Sequence, residues 1–299
     1  MPSIKQIQRR IKSVQTTAKI TAAMQAVAAM RLRKYSRKAE MINAYGQNLR
    51  TALYELFTLG HSLNNLELAK TRRHGKTIMV IVAPSRGFCG GLHRTVITHA
   101  YNYLKDIGLD PTNPEEVEII TVHRPAYRLV TKLGGKILAY FNGPFKNLDP
   151  YQILPISELL YRIWSNKNAS VKQILVSYAQ PQSNLKAKLV VDQVLPLSKF
   201  IEDETKQEIK VQENSAPTTI EIDPNKFIED FLPQWLEMSI HLAILDTMAA
   251  EEGARMMAMN QASDNAKRLG EKLRLVYFRQ RQAKITQEIS EIVGGSMAN

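Results

Sequence analysis

The chain has 299 residues, 44% of them hydrophobic, and a formal net charge of +12 at pH 7. A chain of this length buries the core of one or two domains. No apolar run approaches the roughly 20 residues that a membrane span requires, and the basic start MPSIKQIQRR lacks the hydrophobic stretch of a secretory signal. The one cysteine, Cys89, excludes an internal disulfide and any metal site built from several cysteines. We therefore expect a soluble protein in a reducing compartment.

The positive charge is concentrated near the start of the chain. Residues 1–50 hold eleven lysines and arginines and a single acid, Glu40. This asymmetry indicates an acidic partner, which is nucleic acid, an anionic lipid surface or an acidic protein surface, or else a solvated basic face. Composition does not choose among these.

The sequence pattern of residues 1–60 predicts one long coiled-coil helix. Apolar and small residues alternate at spacings of three and four, which is the seam pattern of a coiled coil. The seam runs through Ile4, Ile7, Ile11, Val14, Ala18, Thr21, Gln25, Ala28, Leu32, Tyr35, Ala39, Ile42, Gly46, Leu49, Leu53 and Leu56. Apart from Pro2, every proline lies between Pro84 and Pro233, so nothing interrupts this helix. At 1.5 Å per residue it is about 80 Å long.

Residues 223–299 predict a second coiled-coil helix of about 90 Å. It opens at Asp223-Pro224, an N-cap residue followed by proline at the first helical position, and we expect Pro233 to kink or restart it. Its seam runs through Ile228, Phe231, Trp235, Met238, Leu242, Leu245, Ala249, Glu252, Met256, Met259, Ser263 and Ala266. After Gly270 the pattern is predicted to slip, through Leu273, Val276, Ala283, Ile285, Ile289 and Ile292.

The two predicted helices are suited to pair with each other. The pairing is antiparallel, because the chain leaves on one helix and returns on the other. The alternative is a homodimeric coiled coil, which leaves two separate seams that each need a partner.

The middle, residues 75–222, alternates strands with helices and predicts a small, largely parallel α/β domain. The strands are at 77–83, 117–122, 136–141, 171–179 and 185–197, and the helices at 92–107, 125–133 and 156–164. Residues 202–214 resemble an exposed acidic loop, and 218–222 are a candidate edge strand.

The glycine-rich stretch Arg86-Gly87-Phe88-Cys89-Gly90-Gly91 follows the first strand and opens a helix, where nucleotide-binding domains place a phosphate loop. Its glycines do not have the G-x-G-x-x-G spacing, and Gly75-Lys76-Thr77 precedes a strand and lacks the first P-loop glycine. A structural turn is therefore favoured. Cys89 has no assignable histidine and acid partners, and the six histidines have no ligand spacing. We predict no catalytic, cofactor-binding or metal-binding residue.

Four stretches resemble the gamma subunit of F-type rotary ATP synthase. They are ITAAMQAVAAMRLRK from Ile20, PSRGFCGGLH in the middle, EEGARMMAMNQASDNA from Glu251 and the closing LVYFRQRQAKITQEISEIVGG. The resemblance covers essentially the whole chain. Ala22, Gln25, Ala26, Ser85 and Asn260 depart from the family pattern.

The resemblance implies an antiparallel coiled coil of the terminal helices beside a Rossmann-like α/β domain. It implies a rotor of the central stalk, not catalytic alone, that couples ion flow through the membrane c-ring to ATP synthesis or hydrolysis. The implied partners are the alpha and beta subunits, epsilon and the c-ring, with no nucleic acid, and the implied location is peripheral, on the cytoplasmic or equivalent face of the membrane. By position, the rotor–stator contact residues are Met24, Arg255, Gln282, Thr286 and Glu288.

The stretch from Met248 to Ala266 carries methionine and alanine where a tight core carries leucine. Methionine adapts to many shapes with little preference, which suits a helix that touches the changing surfaces of a ring. An ordinary gap-filling seam explains Met256 and Met259 equally well, but it explains Met257 and Ala258 less well, because these are predicted to point away from the seam. The alternative function is a basic coiled-coil protein that binds nucleic acid or anionic membrane.

Overall fold

The computed structural model describes residues 3–58, 72, 74–143, 150–166, 170–182, 187–197 and 224–297. The chain divides into two compact units, one of residues 1–30 with 255–299 and the other of residues 31–254. The predicted acidic loop at 202–214 and the candidate edge strand at 218–222 lie outside the described residues.

In chain order, one long helix precedes an α/β region and a second long helix follows it. The elements are α1 (Ile4–Thr58), β1 (Lys76–Val82), α2 (Leu92–Asp106), β2 (Val117–Val122), α3 (Arg124–Lys132), β3 (Ile137–Phe141), a short 3₁₀ turn (Pro150–Gln152), α4 (Leu154–Ser165), β4 (Val171–Pro181), β5 (Ala187–Leu195) and α5 (Pro224–Met297). Helix α5 begins at Pro224, because the fixed φ of proline suits the first helical position. It continues through Pro233 as one element.

In the unit of residues 1–30 and 255–299, α1 and α5 pack side by side along the predicted seam. Ser263 Oγ donates a hydrogen bond to the Ala18 carbonyl at 3.4 Å, and Gln8 Nε2 donates to the Tyr277 hydroxyl at 2.9 Å. Residue numbers fall on α5 as they rise on α1, so the two helices run antiparallel. The buried residues at this contact are Ile7, Thr21, Ala28, Met259, Ser263, Ala266 and Gly270. Most of these are small, so the two backbones approach closely.

The second unit repeats this antiparallel pairing with larger side chains. Tyr45 donates its hydroxyl hydrogen to Gln234 Oε1 at 2.8 Å, and a Cβ atom added to Gly46 would lie 2.9 Å from Met238 Sδ. Ala39, Gly46 and Leu53 are the buried residues of this part of α1. In the described part of α1 every buried residue therefore lies on the predicted seam.

The predicted slip of the seam after Gly270 is wrong. The least exposed residues beyond it are Leu273, Tyr277 and Gln280, which keep the same spacing of three and four. Val276 is 41% exposed, and Ala283, Ile285, Ile289 and Ile292 are also exposed. The pairing with α1 preserves the register, so these apolar side chains lie away from it.

The sheet has the strand order β3-β2-β1-β4-β5. β1 is parallel to β2 and β4, β2 is parallel to β3, and β5 runs antiparallel to β4. Alternate residues of β1 enter two different cores: Met79 and Ile81 pack with α2 and α3, whereas Ile78, Val80 and Val82 pack with α4 and α5. Burying each of these side chains stabilises the fold by about 1.5–3 kcal/mol. The predicted α/β domain is therefore present as a mixed, mostly parallel sheet covered on both faces.

Candidate functional site

The carboxyl ends of β1 and β4 mark the point where the strand order reverses, the usual ligand crevice of such sheets. Here α5 closes that crevice. The hydroxyl of Thr247, which is fully buried, donates to the Val82 carbonyl at 3.4 Å and accepts from the Ala179 amide at 3.3 Å. One side chain of α5 therefore binds the ends of both strands.

Glu251, one helical turn further along α5, binds the glycine-rich loop after β1. Its carboxylate accepts hydrogen bonds from the backbone amide of Ser85 at 2.7 Å and from that of Arg86 at 3.1 Å. The Ser85 hydroxyl also donates to it, at 3.3 Å. A carboxylate of the chain itself therefore occupies the two amides at the start of the loop, where a nucleotide-binding domain places a phosphate.

Sequence reasoning did not identify Glu251 as a loop ligand. The only available signal was its position at the head of the stretch EEGARMMAMNQASDNA, because its partners lie 165 and 166 residues away. The glutamate is buried, and a buried acid requires hydrogen-bond donors.

The rest of the loop has the geometry of a structural turn. Gly90 and Gly91 have positive φ values of 62° and 82°, which glycine adopts without strain, and Phe88 has a φ of 63°, which is uncommon for a residue other than glycine. Cys89 is buried and its thiol donates to the Arg86 carbonyl at 3.4 Å, a packing role. Lys76, in the stretch that resembles a P-loop ending, instead pairs with Glu118 at 3.3 Å.

The five predicted contact residues all lie in the unit of residues 1–30 and 255–299. Met24 on α1 is half-buried, and Arg255 on α5 is buried at 6% exposure. Antiparallel pairing of Ala18 with Ser263 brings these two to about the same level along the helix pair.

The other three, Gln282, Thr286 and Glu288, are exposed near the end of α5. Thr286 Oγ1 donates to the Gln282 carbonyl at 3.0 Å, and Glu288 pairs with Lys284 at 3.3 Å. Gln282 lies about 40 Å along the helix from Arg255, at 1.5 Å per residue. The structure does not bring the five together, and their role stays a prediction.

Soft apolar side chains are exposed on both long helices. Met30 on α1 is 64% exposed and Met257 on α5 is 40% exposed. The interpretation that Met257 points away from the seam agrees with this exposure, whereas Met259, on the seam, is buried. A helix pair that leaves methionine on its outer surface presents polarisable, adaptable contacts to a partner.

The basic residues of α1 are also directed outward. Arg31 pairs with the buried Glu252 at 3.6 Å. Of the eleven cations in residues 1–50, all but Arg31 and Lys38 are exposed. This part of the chain therefore presents a cationic surface suited to an acidic partner.

A buried acid on α5 lines a cavity. Asp246 on α5 accepts a hydrogen bond from Gln180 Nε2 at 3.4 Å and lines a cavity of about 410 Å³. Burial raises the pKa of Asp246 to about 6, against the lowering effect of the Gln180 hydrogen bond.

A buried histidine lies near the carboxyl end of β1. Burial lowers the pKa of His123, whose Nδ1 donates to the Ala83 carbonyl at 2.8 Å.

Within the described ranges, no three histidine, cysteine or acidic side chains converge as a metal site does. The helices described there include none with the length and apolarity needed to cross a bilayer.

Residues 3–298 of the chain match a protein-family profile described as ATP synthase. The ATP synthase gamma chain of Heliobacterium modesticaldum is 31% identical over all of this chain and 99% of the relative. That of Aromatoleum aromaticum is 31% identical over the full length of both.

Two solved structures share the fold. A chain in the central stalk and c-ring structure of the Tetrahymena thermophila mitochondrial ATP synthase has a TM-score of 0.58 at 17% identity, covering 82% of this chain and 99% of that one. A chain of the Euglena gracilis mitochondrial ATP synthase has a TM-score of 0.54 at 16% identity, covering 93% and 95%. The full-length match to the profile and to the curated relatives shows that the chain belongs to the gamma-chain family of ATP synthases.

Proposed function

We propose that this chain is the rotor of the central stalk of an ATP synthase. It couples ion flow through the membrane c-ring to ATP synthesis or hydrolysis in a ring of alpha and beta subunits. The single observation that carries the proposal is the family match from residue 3 to residue 298, which includes both long helices. The antiparallel packing of α1 and α5 supports it, because a paired helix resists twisting better than a single one.

The seam suits a helix pair that enters a narrow ring. Ala18, Ala28, Ser263, Ala266 and Gly270 keep the two backbones close, so the pair is thin. Interface hot spots worth about 2–4 kcal/mol come from aromatic and arginine anchors held in pockets. The exposed Met30 and Met257 instead offer adaptable contacts with little preference for one partner shape.

We propose that Met24, Arg255, Gln282, Thr286 and Glu288 form or support the contact with the stator ring. Their distribution supports two contact levels, one near Met24 and Arg255 and one near the end of α5. Arg255 is buried and therefore acts by supporting the helix pair, whereas Gln282, Thr286 and Glu288 are accessible to a partner.

The chain is proposed to be non-catalytic alone. Glu251 occupies the loop amides at Ser85 and Arg86, and Thr247 closes the strand ends, so the usual nucleotide crevice is filled by α5. We place the protein peripherally, on the cytoplasmic or equivalent face of the energy-coupling membrane, with alpha, beta, epsilon and the c-ring as partners and no nucleic acid.

The decisive test is recovery of partners and of rotation. The tagged chain is purified from its own membranes with mild detergent, and the partners are identified by mass spectrometry. We expect alpha, beta, epsilon and c-ring subunits, and rotation of a bead fixed to this chain when ATP is added. Recovery of DNA or anionic lipid without alpha and beta, lost as salt rises, would instead support the basic coiled-coil function.

Catalytic independence is tested on the isolated chain. We expect no ATP hydrolysis above the buffer rate, whereas alpha and beta together with this chain hydrolyse ATP. Turnover by the isolated chain that disappears in a Lys76→Ala variant would contradict the proposal.

A further inference from the structure

A strongly basic cleft lies near the carboxyl ends of β1 and β2, between the start of α2 and the length of α3. Its volume is about 760 Å³. The cationic side chains that line it, called here the basic cleft residues, are Arg86, Arg94, Arg124, Arg128 and Lys132. Among the described residues that line the cleft, none is acidic.

The five basic cleft residues have no salt-bridge partner within the described part of the chain. In the described part of the chain, the cations that form salt bridges are Arg31, Lys76, Arg162, Lys267 and Lys284, and none of them is a basic cleft residue. The five side chains are exposed. Five cations held around one concave surface repel one another, and a multiply charged anion in the cleft removes that repulsion.

The backbone adds to the field in the same direction. Arg94 lies in the first turn of α2, which has 15 residues, and Arg124 begins α3, which has nine. Residues at the positive, amino-terminal ends of both helices therefore border the cleft, which also extends along α3 to Lys132 and Leu133. Parallel strands of this fold type bind ligands outside their carboxyl ends, and here α5 fills the crevice at β1 and β4 but leaves the one at β1 and β2 open.

We propose that the basic cleft binds a multiply charged phosphate group of a small ligand. The four guanidinium groups present paired N–H donors that match phosphate oxygens, which favours phosphate over a single carboxylate. The volume lies in the range of about 300–1,000 Å³ that is typical of small-molecule sites. Leu129 and Leu133 supply an apolar wall for the rest of the ligand.

The phosphate has two possible sources, a soluble compound or a lipid headgroup, and one set of measurements separates them. The full-length chain is titrated by calorimetry with sodium pyrophosphate, and in parallel with vesicles of phosphatidylcholine with or without phosphatidic acid. At about 50 mM salt, where screening is weak, we expect saturable pyrophosphate binding with a dissociation constant of about 10–100 μM.

The variant is Arg124→Gln with Arg128→Gln, which removes two cations from the exposed face of α3. The matched control is Lys136→Gln with Lys172→Gln, which removes two exposed cations at the amino ends of β3 and β4, the end of the sheet opposite the cleft. We expect the first variant to lose at least about tenfold in affinity, because bidentate contacts are lost, and the control to retain it within about twofold, since only distant charge changes. Equal melting temperatures check that both variants are folded.

Each outcome decides the proposal. Pyrophosphate binding that depends on Arg124 and Arg128 supports a soluble ligand, and binding of phosphatidic acid vesicles alone with the same dependence supports a lipid headgroup. Absence of both kinds of binding overturns the proposal. So does an equal loss in the two double variants, or preferential binding of poly-glutamate, which would assign the cleft to an acidic protein segment. The rotor function is unaffected by any of these results, since the test uses the chain without its partners.

Discussion

Glu251 and Ser85 are joined by a hydrogen bond of 2.7 Å from the serine amide to the glutamate carboxylate, although 166 positions separate them in the chain. The contact connects the last long helix to the loop after the first strand. The buried carboxylate thereby satisfies two backbone donors of the loop.

Replacing Glu251 with alanine is expected to lower the free energy of unfolding by about 1–3 kcal/mol, because the Ser85 and Arg86 amides lose their acceptor. Glu251→Gln keeps one acceptor oxygen and is expected to lose about half as much. Urea unfolding followed by circular dichroism measures both. Glu271→Ala, at an exposed position of the same helix, is the control, and an equal loss there would show that the loop contact contributes nothing special.

Gly135→Ala is expected to destabilise the protein by about 1–3 kcal/mol through overpacking. A Cβ atom at this position would overlap the side chains of Tyr101, Ile119 and Val130, which lie on α2, β2 and α3 and share one core. Gly87→Ala is the matched control, since an added Cβ there meets nothing within 4 Å. Thermal melting of the two variants side by side measures the difference, and similar melting temperatures would contradict the packing argument.

The seam and the sheet were predictable because their signals are local. Spacings of three and four place Ile7, Ala28 and Leu53 on one helix face wherever the helix forms. Strand–helix alternation likewise predicts a parallel sheet. The contact of Glu251 with the loop depends on two segments that only the tertiary fold brings together, so no periodicity reveals it.

The predicted slip after Gly270 is wrong for a related reason. Apolar spacing alone extends the predicted seam through Ile285, Ile289 and Ile292, which are exposed in the chain by itself. An apolar residue whose partner surface belongs to another molecule has the same sequence signal as a core residue. The predicted contacts of the five rotor–stator residues likewise involve another molecule, so an assembled complex is needed to test them.

Asp246 is expected to make stability depend on pH. Its pKa is raised to about 6 in the folded protein, chiefly by burial, from an ordinary value of 3.8. The folded state therefore binds the proton more tightly than the unfolded state, so stability rises as pH falls from above 6 towards 4. For a single buried acid the gain is about 2–3 kcal/mol at most.

The variant Asp246→Asn removes this titration. We expect it to be more stable than the parent at pH 8 and to show no gain from Asp246 between pH 8 and pH 5. Burial lowers the pKa of His123 and of His241, which acts in the opposite direction, so parent and variant are compared at each pH. Asp264→Asn, at an exposed position, is the control. Parallel stability curves for parent and Asp246→Asn would refute the assignment.

Met24→Lys tests the proposed rotor surface directly. Met24 is half-buried on α1, at about the level of Arg255, and its thioether is expected to move across the ring with a nearly flat energy profile. A lysine there pairs with acidic groups of the ring in some rotary positions and not in others. A partly desolvated pair of this kind is worth about 1–3 kcal/mol. As a new barrier it slows rotation about 5- to 150-fold where it determines the rate.

The measurement is ATP turnover and its temperature dependence in the assembled complex, at low and high salt. Higher ionic strength is expected to restore part of the rate, because the barrier is an ion pair near a surface, while nucleotide affinity at the catalytic sites stays nearly unchanged. Met41→Lys is the matched control, since it adds the same charge at an exposed position of α1 outside the predicted contact. A Met24→Lys complex that turns over at the native rate in low salt would mean that Met24 does not face the ring. Its half-burial would then reflect only packing between α1 and α5.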